Sequence, residues 1–256
     1  MIALPGSELL PALLMGGVLG FFGGVFGIGG GIVAIPVLVV VYGMDQATAQ
    51  GTALVMMVPN LAVAWLRYGQ RNPQPLTGAV AIALTACVAT WGAAMMAQAV
   101  QPAVLKTMFC AFLLYLAARM LGQRAKDGET ERFVFERRWA PLVGLAGGGS
   151  MGLLGVGGGL VATPLLCRWF GLGQRAAQSM ALALVTPASA VALSNYGVHN
   201  RVDWGIGGAL AVGGIVTVSL GVRVAHACPE RVLSRLFAVM LAASALAVMI
   251  RSGEVG

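Results

Sequence analysis

Apolar residues fill the chain in eight long runs, at about 9–42, 47–66, 76–98 and 103–121 and again at about 139–169, 176–197, 204–225 and 231–250. No Asp, Glu, Lys or Arg lies between Glu8 and Asp45, Asp45 and Arg67, Arg138 and Arg168, or Arg175 and Arg201. Charge-free runs of this length read as membrane helices, because about 20 apolar residues cross the hydrocarbon core. The second, third and fourth runs of each set predict ordinary spanning helices. The first of each set cannot, since some 30 to 34 residues would make a helix of roughly 45–50 Å against a core of about 30 Å. Glycines cluster near the middle of both. A break or a turn back is therefore predicted at Gly27–Gly31 and Gly155–Gly159.

The two sets of runs are copies of each other. GIGGGIVAIP (Gly27–Pro36) and GVGGGLVATP (Gly155–Pro164) agree at seven of ten positions, 128 residues apart. At the same offset Gly16, Gly20 and Gly24 match Gly144, Gly148 and Gly152, Gln50 matches Gln178, and Tyr68-Gly69 matches Tyr196-Gly197. The organisation expected is a first membrane repeat over 1–121, a charged cytoplasmic linker over 122–138 and a second membrane repeat over 139–256.

Composition agrees with a membrane protein: 58% of residues are hydrophobic and 10% charged, where a soluble domain carries roughly 25% charged residues. Mean hydropathy is +0.85. The net charge of +7 sits at the ends of apolar runs, where cations orient helices and meet anionic lipid, so it does not point to nucleic acid. Cys87, Cys110, Cys167 and Cys228 show no metal-ligand or CxxC spacing. No metal site and no cofactor are expected.

Loop charge separates a break from a turn. If the first run of each set crosses, the 16 Lys and Arg divide ten to six between the two sides; if it returns to the side it entered from, they divide thirteen to three, with Lys106, Arg201 and Arg251 alone. The second arrangement obeys the rule that Lys and Arg mark the cytoplasmic face. Each half is then a Gly-tipped broken-helix hairpin plus three spanning helices. Three crossings per half is odd, so the halves form an inverted repeat with both termini outside, as in known carriers. Trp65, Trp139, Trp169 and Trp204 fall at the expected interfaces, and Trp91 falls inside a span.

The helix after each glycine run presents its N-terminal amides and the positive end of its dipole, a site for an anion without any charged side chain. Two such tips in an inverted repeat can face one small ligand from both sides. The expected ligand-binding residues are Gly27, Gly29, Gly30 and Gly31 with Gly155, Gly157, Gly158 and Gly159. Gln50 and Thr52, with Gln178 and Ser179, lie one turn into the neighbouring helices and offer amides and hydroxyls to an anion's oxygens. Interhelical hydrogen bonding is the competing role for these four, and Asn60, Ser194 and Asn195 are weaker candidates of the same kind. Pro36 and Pro164 are expected to be structural, bending the second half-helices. Gly16, Gly20, Gly24 and their partners have the four-residue spacing of close helix packing. The tip motifs do not make GxGxxG, because Ile32 and Leu160 stand where its last glycine would be, and neither is followed by soluble βαβ sequence, so a dinucleotide site is not expected. Ser150 has no His or Asp partner inside a span, and no catalytic residue is expected.

No Asp, Glu or His lies near the middle of any span, so no carboxylate relay of a proton-driven pump is visible. The membrane potential alone would favour expelling a dianion by about 4.6 kcal/mol per 100 mV. An electrogenic anion exporter is the expectation.

A Gly-rich hairpin ending in proline, present once per half in a chain of this length, resembles the sulfite exporter TauE/SafE family of membrane permeases. The resemblance covers nearly the whole chain and rests on the GxGGGxxxxP motifs at Gly27–Pro36 and Gly155–Pro164. It implies a bacterial inner-membrane, multi-pass secondary transporter of small sulfur-containing anions such as sulfite, thiosulfate or organosulfonates. Gly51-Thr52-Ala53-Leu54 is similar to a Gly-Thr-Ser-Leu-like stretch of that family, whereas Ser179-Met180-Ala181-Leu182 departs from it and lacks a donor at Met180. An anion channel and an intramembrane enzyme or accessory subunit are the alternatives. The partners implied are a small anionic substrate and the lipid bilayer, with a homodimer left open.

Overall fold

A computed structural model describes residues 6–26, 29–71, 76–122, 139–156, 158–228 and 230–253 of the chain. The expected linker residues 123–138 lie outside this set, as do Gly27 and Gly157. The elements are helices throughout: α1 (Gly6–Phe26), α2 (Gly31–Val41), α3 (Gln46–Arg71), α4 (Leu76–Ala99), α5 (Pro102–Gly122), α6 (Ala140–Leu154), α7 (Gly158–Phe170), α8 (Gln174–Val198), α9 (Trp204–Ala227) and α10 (Glu230–Gly253). Six of them, α1, α3, α4, α5, α8 and α9, are long and apolar enough to cross a membrane.

Both first segments break at their glycines and turn back. Gly29 and Gly30 have φ of 71° and 86°, a left-handed conformation that glycine adopts without steric cost. The Gly30 carbonyl accepts from the amides of Val33 and Ala34 at 3.2 and 3.0 Å, which starts α2. A side chain on Gly30 would strike the Leu19 carbonyl at 2.6 Å. Farther along, Val33 and Val37 of α2 share an open apolar groove with Pro11, Leu14, Val18 and Phe22 of α1, so α2 runs back along α1. In the second half Gly155 closes α6 at φ 67°. A Cβ on Gly158 would lie 3.0 Å from the Gly147 carbonyl and 3.4 Å from Met151 Cβ.

The first helix of each half packs on the fourth helix of the other half. α1 meets α9 and α6 meets α4, and the contacts obey the repeat. Side chains on Gly16, Gly20 and Gly24 would strike the backbone of Leu210, Gly214 and Val218; on Gly144, Gly148 and Gly152 they would strike that of Ile82, Ala86 and Thr90. Each of these partners is 128 residues from its counterpart. The glycine stripes thus let two backbones touch, the packing mode available where lipid removes the hydrophobic drive between helices. One hydroxyl crosses each seam: Thr217 donates to the Gly17 carbonyl at 2.6 Å and Thr90 to the Gly148 carbonyl at 2.9 Å.

Large apolar side chains face outward. On α4, Val80, Leu84, Val88, Trp91 and Met95 are exposed, while Ile82, Ala86, Thr90 and Ala94 on the other face are buried. Trp91, alone among the tryptophans in falling inside a predicted span, is on that outward face.

The halves also meet at one end. Asp45, before α3, pairs with Arg201, after α8, at 3.6 Å. Thr52 Oγ1 accepts from the Asp203 amide at 2.9 Å, and a side chain on Gly51 would strike the Arg201 carbonyl. The start of α3 therefore lies at the end of α8, and the two helices run antiparallel. The α2–α3 and α8–α9 connections share one face, as hairpins require; two crossing first segments would put them on opposite faces.

Candidate functional site

The hairpin tips converge between α3 and α8. A Cβ on Gly31, at the first turn of α2, would lie 3.0 Å from Val156 Cγ1 in the opposing tip and would strike the Met57 thioether of α3. The N-termini of α2 and α7, at Gly31 and Gly158, are both buried. Gly159 follows in the first turn of α7, partly exposed. At Gly30 and Gly31 the space for a side chain is taken by protein atoms, and at Gly158 it is tight, with the Gly147 carbonyl and Val185 Cγ2 at 3.0 Å. Gly30 and Gly31 are required for close approach whatever else they do.

Gln50 and Gln178 each reach the tip of the other half. Gln50 is fully buried, and its Cβ lies 3.0 Å from where a Cβ on Gly155 would sit. Its Oε1 accepts from the Tyr196 hydroxyl at 2.7 Å. Its Nε2 is buried without a hydrogen-bond partner among the described residues. Gln178 Nε2 donates to the Phe26 carbonyl, the last of α1, at 3.0 Å. That carbonyl belongs to a helix end whose orphaned acceptors need donors from elsewhere. Two residues equivalent in the repeat thus have different surroundings.

Thr52 is buried at the joint with the α8–α9 connection, its oxygen engaged by the Asp203 amide. Ser179 is buried in α8. Pro36 and Pro164 lie inside α2 and α7, each removing one amide from its helix ladder. Among the weaker candidates, Asn60 is fully buried in α3. Both its amide atoms lack partners among the described residues, and a side chain on Gly214 would meet its Nδ2 at 2.5 Å. Ser194 is exposed, its hydroxyl donating to the Val191 carbonyl at 2.8 Å. Tyr196 is absent from the sequence-based candidates. Its recurrence with Tyr68 at the repeat offset was the available signal.

A family model described as sulfite exporter TauE/SafE matches residues 12–248. The chain belongs to this family. Two relatives, each a "Probable membrane transporter protein" of Xylella fastidiosa, from strain 9a5c and strain Temecula1, are 26% identical over 243 residues, covering 93% of this chain and 93% of theirs. No solved structure matches. As a TauE/SafE member the chain is a membrane transporter rather than an enzyme, which agrees with the reading of the spans; the Ser150 hydroxyl donates to the Gly147 carbonyl at 2.9 Å.

Proposed function

We propose that this TauE/SafE transporter is a secondary carrier, an exporter of small sulfur-containing anions such as sulfite, thiosulfate or organosulfonates, taken between the two glycine tips. The observation that carries the reading is the convergence of Gly31 and Val156. It brings the N-terminal ends of α2 and α7 to one region inside the protein. Helix N-termini favour anions through their amides and dipoles, most strongly where water is excluded. The family supplies the chemical class of ligand through its name.

The antiparallel course of α3 and α8 and the exchange of α1 and α6 between halves support an inverted repeat. In that architecture rocking of one half against the other exposes a fixed site alternately. With the thirteen-to-three division of Lys and Arg, the face bearing Asp45 and Arg201 is the outer one, and the bilayer is a bacterial inner membrane.

The test is charge movement by the purified protein in proteoliposomes on a solid-supported membrane, challenged with sulfite, thiosulfate, sulfate, sulfoacetate, taurine and chloride. A current selective for a sulfur oxyanion or sulfonate supports the carrier. Counterflow, in which unlabelled internal ligand accelerates uptake of label, separates it from a channel. No response to any sulfur anion would overturn the reading.

A further inference from the structure

The two interhelical glutamines do different work. Tyr196 has one hydroxyl proton and two acceptors in reach, Gln50 Oε1 at 2.7 Å and the Gly152 carbonyl at 3.3 Å. The shorter contact is the one to Gln50, whose oxygen faces the hydroxyl and whose NH2 group is turned the other way. That group is buried and has no partner among the described residues, and the Cβ and Cγ of the same side chain lie against the Gly155 tip. Gln178 is arranged in the opposite sense, its NH2 spent on the Phe26 carbonyl. A buried amide donor without an acceptor is costly to keep. Such a donor calls for an acceptor, and an anion's oxygen is one.

We propose that Gln50 Nε2 is the side-chain donor to the transported anion, and that Tyr196 is a positioning residue that aims it by holding Oε1. Gln178 instead secures the end of α1. The assignment rests on the reading that the chain carries an anion between the tips, and it adds an asymmetry that the repeat itself does not contain. Without the Tyr196 hydroxyl the amide of Gln50 is free to invert and present oxygen to the anion, so affinity falls while the site stays intact.

The variants that test this are Gln50→Glu, Tyr196→Phe and the double change, read as thiosulfate-evoked current in proteoliposomes. Thiosulfate keeps its double charge at the pH used. Glutamate keeps an oxygen for Tyr196 but replaces the NH2 with a second acceptor. At about pH 8 Gln50→Glu is expected to raise the half-saturating concentration at least tenfold, roughly the worth of a hydrogen bond to a charged group. An elution profile and a thermal midpoint in detergent equal to those of the wild type show that the variant is folded. Tyr196→Phe is expected to raise the half-saturating concentration about three- to tenfold, with the maximal current kept. In the double variant it adds nothing to Gln50→Glu, because the tyrosine acts through the glutamine. Unchanged affinity in a folded Gln50→Glu, or additive effects of the two changes, would each overturn the assignment. Silence of the wild-type protein toward every sulfur anion would remove the transport reading, and this assignment with it.

Discussion

At the residue scale the glycines divide by what lies beyond their missing side chains. Gly148 and Gly149 are adjacent in α6, yet a Cβ on Gly148 would strike the Ala86 backbone of α4, while one on Gly149 would meet nothing within 4 Å. Gly148→Ala must push two helices apart and is expected to destabilise by about 1–3 kcal/mol, the usual cost of overpacking. Gly149→Ala is expected to be neutral or to stabilise by up to about 1 kcal/mol, because alanine loses less entropy in a helix. The thermal midpoints of the two variants in detergent measure the difference; equal midpoints would deny the close seam. The tip glycines belong with Gly148. Any side chain at Gly30 meets both a left-handed backbone and the Leu19 carbonyl, so Gly30→Leu is expected to lower stability and not only transport.

At the element scale the hairpins were legible in the sequence and their partners were not. Run length against bilayer thickness demands a break, and the glycines locate it: α1 ends at Phe26 and α2 starts at Gly31, as α6 ends at Leu154 and α7 starts at Gly158. The stripes Gly16–Gly24 and Gly144–Gly152 announce close packing, but a stripe of small residues does not say which backbone it will meet. That α1 seats on α9 and α6 on α4 emerges only once the halves interlock. For the same reason Thr52 and Gln178 read equally well as ligand donors or as interhelical partners, since a side chain's role depends on what the other half brings to it. The joint between α3 and the α8–α9 connection shows which contacts matter energetically. Asp45 and Arg201 are each 41% exposed, and such a pair is worth about 0–1 kcal/mol. Arg201→Gln is therefore expected to shift the unfolding midpoint little. Thr52 is fully buried, and Thr52→Val, which strips the Asp203 amide of its acceptor, is expected to cost about 1–3 kcal/mol. The reverse order would mean that the joint is held by charge rather than by the buried hydroxyl.

At the scale of the whole molecule, the proposed inverted repeat takes both hairpins as re-entrant, with α3, α4 and α5 crossing in one half and α8, α9 and α10 in the other. In that arrangement the outer face carries three of the 16 basic residues. A reporter fused after Gly256 is expected to be active on the outer side, as is one placed near residue 101, whereas one in the linker at about residue 128 should be cytoplasmic. A cytoplasmic reporter at the C-terminus would overturn the arrangement. The same orientation bears on energy coupling. No Asp or Glu falls near the middle of a span, so the charge on the ligand itself can couple to the potential. An inside-negative potential of 100 mV favours outward movement of a dianion by about 4.6 kcal/mol, more than a thousandfold in gradient. Efflux of labelled thiosulfate from proteoliposomes with a potassium-clamped potential is therefore expected to rise as the interior is made negative and to reverse when the clamp is reversed. Flux indifferent to the clamp would mean that each anion moves with compensating charge, and would separate electroneutral exchange from an electrogenic carrier.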